Sequence, residues 1–470
     1  SIVTQLMAIE KQPLQVLQTK AGTIQTQMSA IGQLQSQVSG LHDAADALSK
    51  ADAYTQMSAT ASDSALTVSA TAKAATGSHA ITVSTLAAGQ TLVSAAGQFA
   101  AATDTVGTGK LTISLGRWSG GDPPTAFTPK SGSTDITIDI GNGDATLQGI
   151  RDKINSANAG VVASIVTDTS GARLSLRSAS TGQDNGFRIT VTDDDSNATD
   201  AAGLSRLAYD PAGNTTQMLR AQAASDTQAT VDGIAVSSAT DTLDNVIEGL
   251  TIKINKPPGT AVSVAVAQNT DNVKSLVGKF VSAFNALSKT LSDDTRYDPA
   301  TKTAALFQGD STVLALQNQM RSLVSQGTKS SAVFGTLSSL GVQLQKEGSL
   351  TVDDTKFGNA LGKLAEVAKA LANSDSSQGG LGIAKRFANW ADGLVDAAGG
   401  ALSSRTKTLQ SRLNDNQKQQ DALNDRLSNT ERRLRTTYSA LDTTASKYSQ
   451  LSNYVNQYVT QLANTKSSGS

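Results

Sequence analysis

The chain has 470 residues, with 39 Lys and Arg against 40 Asp and Glu, a net charge of −1 and no cysteine. The length allows two to four domains, and the balanced charge, without a basic run, argues against nucleic acid or an anionic membrane as partner. The absence of cysteine excludes disulfides, thiolate metal sites and cysteine nucleophiles. Aromatic residues make up only 4%, so bulky cores are scarce and long helices, sheets and subunit contacts must supply stability. No run of apolar residues is long enough to span a bilayer, so membrane insertion is not expected. The first residues lack a basic region followed by a solid apolar core and do not read as a cleaved signal peptide.

The chain opens with a narrow apolar seam of period near 3.5, through Leu6, Ile9, Leu14, Leu17, Ile24, Met28 and Ile31 and on to Leu48. Gln, Ser and Thr fill the other positions, the pattern of a coiled-coil helix. From about 75 to 268 the chain turns β-rich. "HAITVSTL", "LTISL" (111–115) and "ITIDI" (136–140) alternate, and "DATLQGIRDKINSA" switches to helical spacing at Leu147, Ile150 and Ile154. "VVASIV", "RLSLRS" and "FRITVT" read as strands. "TVDGIAV" places Asp232-Gly233 between alternating flanks, a strong hairpin signal, and "LTIKINKPPGTAVSVAV" reads as a second hairpin bent at Pro257-Pro258-Gly259. Helical spacing returns at Val273, Val277, Phe280, Phe284, Leu287 and Leu291. Asp310 is placed to cap a following helix, a hairpin turns at Glu347-Gly348, and further helices carry Phe357, Leu361, Phe387 and Trp390. A last helix, about 402–463, carries Leu409, Leu413, Leu423, Leu427, Leu434, Tyr438, Leu441, Ala445, Tyr448, Leu451, Val455, Tyr458 and Leu462 at steps of three, four or seven, apart from a polar gap between Asn416 and Gln420, with Tyr454 beside the seam.

A lone helix of this kind cannot bury its seam. The two terminal helices are natural mates, so everything between them must loop out and return. The predicted fold is α+β and multidomain, a nested architecture with terminal coiled-coil helices, a helical bundle and antiparallel β-rich modules.

Catalytic and metal-site signals are weak. "GTGKL" (107–111) has Asp104 where a phosphate loop needs its first Gly, and Leu111 where it needs Ser or Thr. "DDDSNATDAAGL" has Ala198 and Leu204 where a calcium loop needs Gly and Glu, and reads as a solvated acidic loop. His42 and His79 lie in separate regions, so no Ser-His-Asp triad is expected. No enzyme activity, cofactor or metal is predicted. Tyr448, Tyr454 and Tyr458 suit seam packing or a protein interface, and Trp118 in "GRWSGGDPP" reads as a loop residue.

Five stretches in order carry a resemblance: "SIVTQLMAIEKQPLQVLQ", "ATVDGIAVSSATDTLDNVIEGLTIKI", "KFVSAFNALSKTL" with "RYDPATKTAALFQGDSTV", "LGVQLQKEGSLTVDDTKF" and "YSALDTTASKYSQLSNYVNQYVTQLA". They resemble the flagellar filament-cap (FliD) family of hook-associated proteins, and 105–215 matches most loosely. The resemblance implies a structural cap at the distal tip of the bacterial flagellum, an oligomeric plate with flexible legs that promotes insertion and folding of exported flagellin. It implies as partners the chain itself in a homo-oligomeric ring, flagellin, the hook–filament junction proteins and an export chaperone on the C-terminal helix. It also implies export through the flagellar type III channel without a cleaved signal, to an extracellular site.

In that frame 1–48 is an N-terminal coiled-coil helix pairing with the C-terminus, and 49–74 the first segment of a helical leg domain. A β-rich head domain spans 75–105 plus 215–268, with an outer β-rich head domain, 106–214, inserted. The main leg domain is 269–408 with a hairpin near 342–352, and 409–470 is the C-terminal coiled-coil helix. The seam residues above are its expected interface. Two alternatives stay open: another flagellar axial or hook-associated junction protein, and a surface adhesin binding host mucin or glycans through the outer head domain, for which Trp118 is the candidate contact.

Overall fold

The structure is a computed structural model that describes residues 2–195, 197–198, 200–377 and 380–467, with side chains described up to 461. In chain order the helices are α1 (Ile2–Glu10), α2 (Gln12–Leu48), α3 (Leu147–Ala157), α4 (Thr270–Thr295), α5 (Ser311–Ser325), α6 (Asp354–Leu361), α7 (Leu364–Ala372), α8 (Ile383–Val395) and α9 (Ala401–Ser467). The chain forms two compact units. One joins the described residues up to Tyr54 with those from Thr270 onward, and the other is Thr55–Asn269.

The first unit is helical. The seam of α2 from Ile24 to Leu48 buries against α4, α8 and the start of α9, and α5 joins the same core through α4 and α8, with Ile31, Leu34, Leu41, Phe284 and Phe387 fully enclosed. Phe387 lies edge-on to Phe280 and Phe284, with ring centroids 5.1 and 6.1 Å away, a favoured aromatic geometry. Asp310 caps α5, its Oδ1 accepting from Thr312 N and Val313 N at 3.0 and 3.3 Å. Its other oxygen accepts from Arg405 on α9. At the end of α2, the buried Tyr54 hydroxyl donates to Leu48 O at 2.7 Å, and burial pushes its phenol pKa up. The hairpin pairs Val342–Leu344 with Leu350–Val352 and turns through Gly348 at φ +87°.

Two expected boundaries therefore shift. Residues 24–48 are a core helix of this unit as well as a partner of α9, so 1–48 is not solely a coiled-coil mate of the C-terminus. The last helix starts at Ala401, not 409, and Leu402 and Leu409 belong to the helical core.

The second unit is antiparallel β and has two cores. In the first, a five-stranded sheet orders Met57–Ala61, Val262–Gln268, Gly77–Thr85, Thr227–Val231 and Ile234–Ser238. A three-stranded sheet of Thr242–Asp244, Leu250–Ile254 and Leu66–Ala70 shares with it a core of Ile81, Val83, Ile252 and Val264. The Asp232-Gly233 turn holds φ of 51° and 84°, the left-handed pair a two-residue hairpin needs. Residues 57–70 thus supply strands to this unit instead of opening a helical domain at 49–74. Leu250–Ile254 and Val262–Gln268 lie in different sheets, so "LTIKINKPPGTAVSVAV" is a crossing between sheets, not a hairpin.

The second core lies between a six-stranded sheet built around Gly109–Ser119 and Gly186–Asp193 and a four-stranded sheet ordered Leu219–Gln222, Thr91–Val93, Gly171–Ser178 and Val161–Asp168. Leu111, Ile113, Leu147, Ile150, Leu174 and Phe187 fill it. The inserted region therefore starts near 90 and ends near 222, wider than 106–214. Helix α3 starts where the Thr146 hydroxyl accepts from Gly149 N at 3.2 Å and ends at Asn158, at φ 50°. From α3, Asn155 reaches the open edge of the four-stranded sheet. Its Nδ2 donates to Ala163 O at 2.9 Å and its Oδ1 accepts from Ala163 N at 2.8 Å, standing in for the neighbouring strand that an edge lacks.

Candidate assembly surface of the helical arm

The terminal helices form a two-helix arm at one end of the helical unit. Helix α9 has 67 residues, about 100 Å at 1.5 Å per residue. It runs antiparallel to α1 and the first half of α2. Near the end of the arm Val3, Met7 and Leu427 are buried together, with Leu14, Leu423, Leu434 and Tyr438 packed around them. A break at Lys11 separates α1 from α2; Pro13 just beyond it has no N–H to continue the ladder.

The residues that face the mate differ from those expected, though the heptad spacing of Val3, Met7, Leu14 and Leu17 runs on through the break. Leu6 and Ile9, expected in the seam, are 37% and 64% exposed, and Val3 and Met7 take the inner positions instead. Leu14 and Leu17 are half-buried. Ile24 and Ile31 are buried with Met28 beside them, but inside the helical core. Ile2, Ile9 and Val16, seven residues apart, leave a second apolar stripe on the outer side of the arm.

Past Tyr438 the side chains of α9 are exposed, with no other helix packed against them among the described residues. Leu434 is half-buried, whereas Leu441, Leu451, Tyr454 and Tyr458 are exposed, together with Tyr448, Val455 and Val459. Tyr454 and Tyr458 stack one turn apart, with centroids at 6.5 Å. The side chain of Leu462 lies outside the described residues. Burying this face would contribute on the order of 10 kcal/mol before ordering costs. Exposed apolar surface of this extent on a helix marks a docking face.

The remaining candidate residues are occupied structurally. Trp118 lies on a strand, not a loop. Its indole N–H donates to Phe187 O at 3.1 Å and its ring packs 4.6 Å from Phe127 and 5.7 Å from Tyr209. A Cβ on neighbouring Gly116 would come within 2.6 Å of the Phe127 ring, so only glycine leaves room for that stack. His79 Nδ1 bonds Asp232 Oδ2 at 2.8 Å, and Asp232 Oδ1 accepts from Ala80 N at 2.8 Å. The His79 bond, then that amide, hold the Asp232 carboxyl below its ordinary range. His42 pairs with the adjacent Asp43, at 3.1 Å. In the acidic loop, buried Asp193 accepts from Ser205 N and Oγ at 2.8 and 3.2 Å. Among the described residues no cluster of His, Asp and Glu is placed to hold a metal, and no helix is long and apolar enough to cross a membrane. The exposed apolar face of α9 is suited to association with other helices.

Known proteins share this arrangement. The family described as flagellar hook-associated protein 2 matches with its N-terminal part at residues 1–90 and its C-terminal part at 224–450, and the flagellin hook IN motif matches 126–180. Flagellar hook-associated protein 2 of Escherichia coli O157:H7 is 30% identical, over 99% of this chain and 97% of that protein. The B-type flagellar hook-associated protein 2 of Pseudomonas aeruginosa is 32% identical, over 90% of this chain and 87% of its own. The chain belongs to the flagellar hook-associated protein 2 (FliD) family.

The crystal structure of the flagellar cap protein FliD, D1-D2-D3 domains, from Escherichia coli superposes with a TM-score of 0.59 at 29% identity, covering 81% of this chain and 99% of that one. The α+β multidomain fold is thus the FliD fold. FliD proteins are structural components of the flagellum and not enzymes.

Proposed function

We infer that this chain is the cap at the distal tip of a bacterial flagellar filament, a homo-oligomeric plate that promotes insertion and folding of exported flagellin. The helical unit with its arm acts as the leg, and the β unit as the plate-forming head. The observation that carries this reading is the apolar face of α9 from Leu441 to Val459, exposed and without a mate among the described residues, while Val3 and Met7 pack against Leu427. A helix ending in an open heptad seam is built to join other helices, and the helices of axial flagellar proteins at the tip, including the junction proteins, are the fitting class. The same C-terminal seam would need an export chaperone to cover it before passage through the type III channel. Thin seams dissociate quickly, which suits a cap that must release and re-engage as each subunit enters. The adhesin reading has less behind it, because Trp118 is held within a sheet.

The test is complementation of a deletion strain with Leu441→Ser/Leu451→Ser/Tyr458→Ser. These side chains contact solvent, so the circular dichroism melt should match wild type. Flagellin should nevertheless be lost to the medium. Full-length filaments on cells carrying the triple variant would overturn the assignment of this face.

A further inference from the structure

Buried amides interrupt the arm's seam between its two apolar clusters. Leu402, Leu409 and Leu413 belong to the core of the helical unit, and Leu423 and Leu427 to the separate cluster near the end of the arm. Between them the steps of three and four continue, but the residues at the seam positions are Asn416 and Gln420. Both are buried, at 4% and 9% exposure. Gln420 Nε2 donates to Asn416 Oδ1 at 2.6 Å, and Asn416 Nδ2 has no partner among the described residues. By the antiparallel order they lie opposite Leu17 and Ala21, between Leu14 in the distal cluster and Ile24 in the core.

A buried amide with an unpaired N–H weakens the seam at that layer. It also penalises any slipped pairing that would set it against a leucine, which is how a single polar seam position fixes register. Neither apolar cluster reaches across the pair, so no shared side-chain packing ties the opening of one to the other.

We propose that the Asn416–Gln420 pair is the boundary at which the arm opens. Residues up to about Leu17 separate from Leu423 onward as one cooperative unit, while Ile24–Leu48 and Leu402–Leu413 stay packed. This rests on the seam geometry alone and stands whether or not the chain caps a filament.

Hydrogen exchange on the full chain, read by mass spectrometry, tests it. Amides of Leu6–Leu17 and Leu423–Tyr438 should share one protection level, about tenfold or more below Ile24–Ala45 and Leu402–Leu413, with the step falling between Leu413 and Leu423. Ordinary fraying would give a smooth gradient towards the chain ends instead. Asn416→Leu/Gln420→Leu should close the gap, slowing exchange in the distal segments by about tenfold. A gradient without a step in wild type would overturn the proposal, as would a step unmoved by the double substitution. If the double variant does not fold, Asn416→Leu alone should shift the step in the same direction, and the wild-type profile still decides the first point.

Discussion

Asp310 links the cap of α5 to α9, and its substitution separates two contributions to the helical unit. One oxygen caps α5 and the other accepts from Arg405. The Asp310 and Arg405 side chains are 12% and 21% exposed, so the pair is largely shielded from water. Loss of an N-cap costs about 1 kcal/mol. Loss of a charged hydrogen bond, with the guanidinium left part-buried, costs roughly 1.5–3 kcal/mol. Asp310→Ala should therefore destabilise the helical unit by about 3 kcal/mol. Asp310→Asn keeps a capping oxygen, and Asn caps as well as Asp, so it should lose only the ionic part, about 1–2 kcal/mol. The two tryptophans fall one in each unit. In a Trp118→Phe background, fluorescence of Trp390 thus reports urea unfolding of the helical unit alone. Midpoints should shift with the slope unchanged. In a double-mutant cycle with Arg405→Ala, the Asp310→Asn loss should largely disappear. Equal losses for Asp310→Ala and Asp310→Asn, or less than about 0.5 kcal/mol for both, would refute this reasoning.

Two further predictions concern acid stability and the sheet edge. Glu366 accepts from Lys369 Nζ, Ser331 Oγ and Ala332 N at 2.7, 2.7 and 3.0 Å, and the Lys369 bond first, then Ser331, holds its carboxyl down to about 2 from 4.5. A carboxyl depressed on folding stabilises above its unfolded value and loses that contribution as pH falls through its folded one. Wild type should weaken between about pH 4.5 and 2, and Glu366→Gln should weaken less steeply there, as urea midpoints would record; identical slopes would contradict the role given to Glu366. Asn155→Ala removes both bonds to Ala163, so the β unit should lose about 1–2 kcal/mol and gain concentration-dependent association through the freed edge in sedimentation; a variant as stable and as monodisperse as wild type would count against the edge-capping role.

Much of the architecture was legible where local signals agree with long-range packing. Helix α4 carries unbroken three-and-four spacing and α9 the same spacing on either side of its polar gap, Asp310 caps where its position predicts, and Asp232-Gly233 turns as its chemistry demands. Strands 57–70 were not legible. "MSATA" and "LTVSA" alternate residues too small and polar to contrast, and their partners lie about 200 residues away in sequence. For the same reason "LTIKI" and "VSVAV" look like a hairpin, although pairing with 66–70 and 77–85 sends them to different sheets. Trp118 escaped because turn residues follow it directly, while the strand it ends extends from Gly109. On the arm two apolar stripes compete, Leu6 with Ile9 and Val3 with Met7. Only the second keeps steps of seven and three with Leu14 and Leu17, and packing against Leu427 selects it. The polar gap at Asn416–Gln420 was visible in the sequence, but its burial was not.

The central claim is most directly tested in the source bacterium. The gene would be deleted and flagellin quantified in the medium and on the cells, with and without the wild-type copy restored. The cap reading predicts intact hooks, flagellin released as monomers into the medium and recovery of filaments on complementation. Filaments of normal length and number in the deletion strain would contradict it.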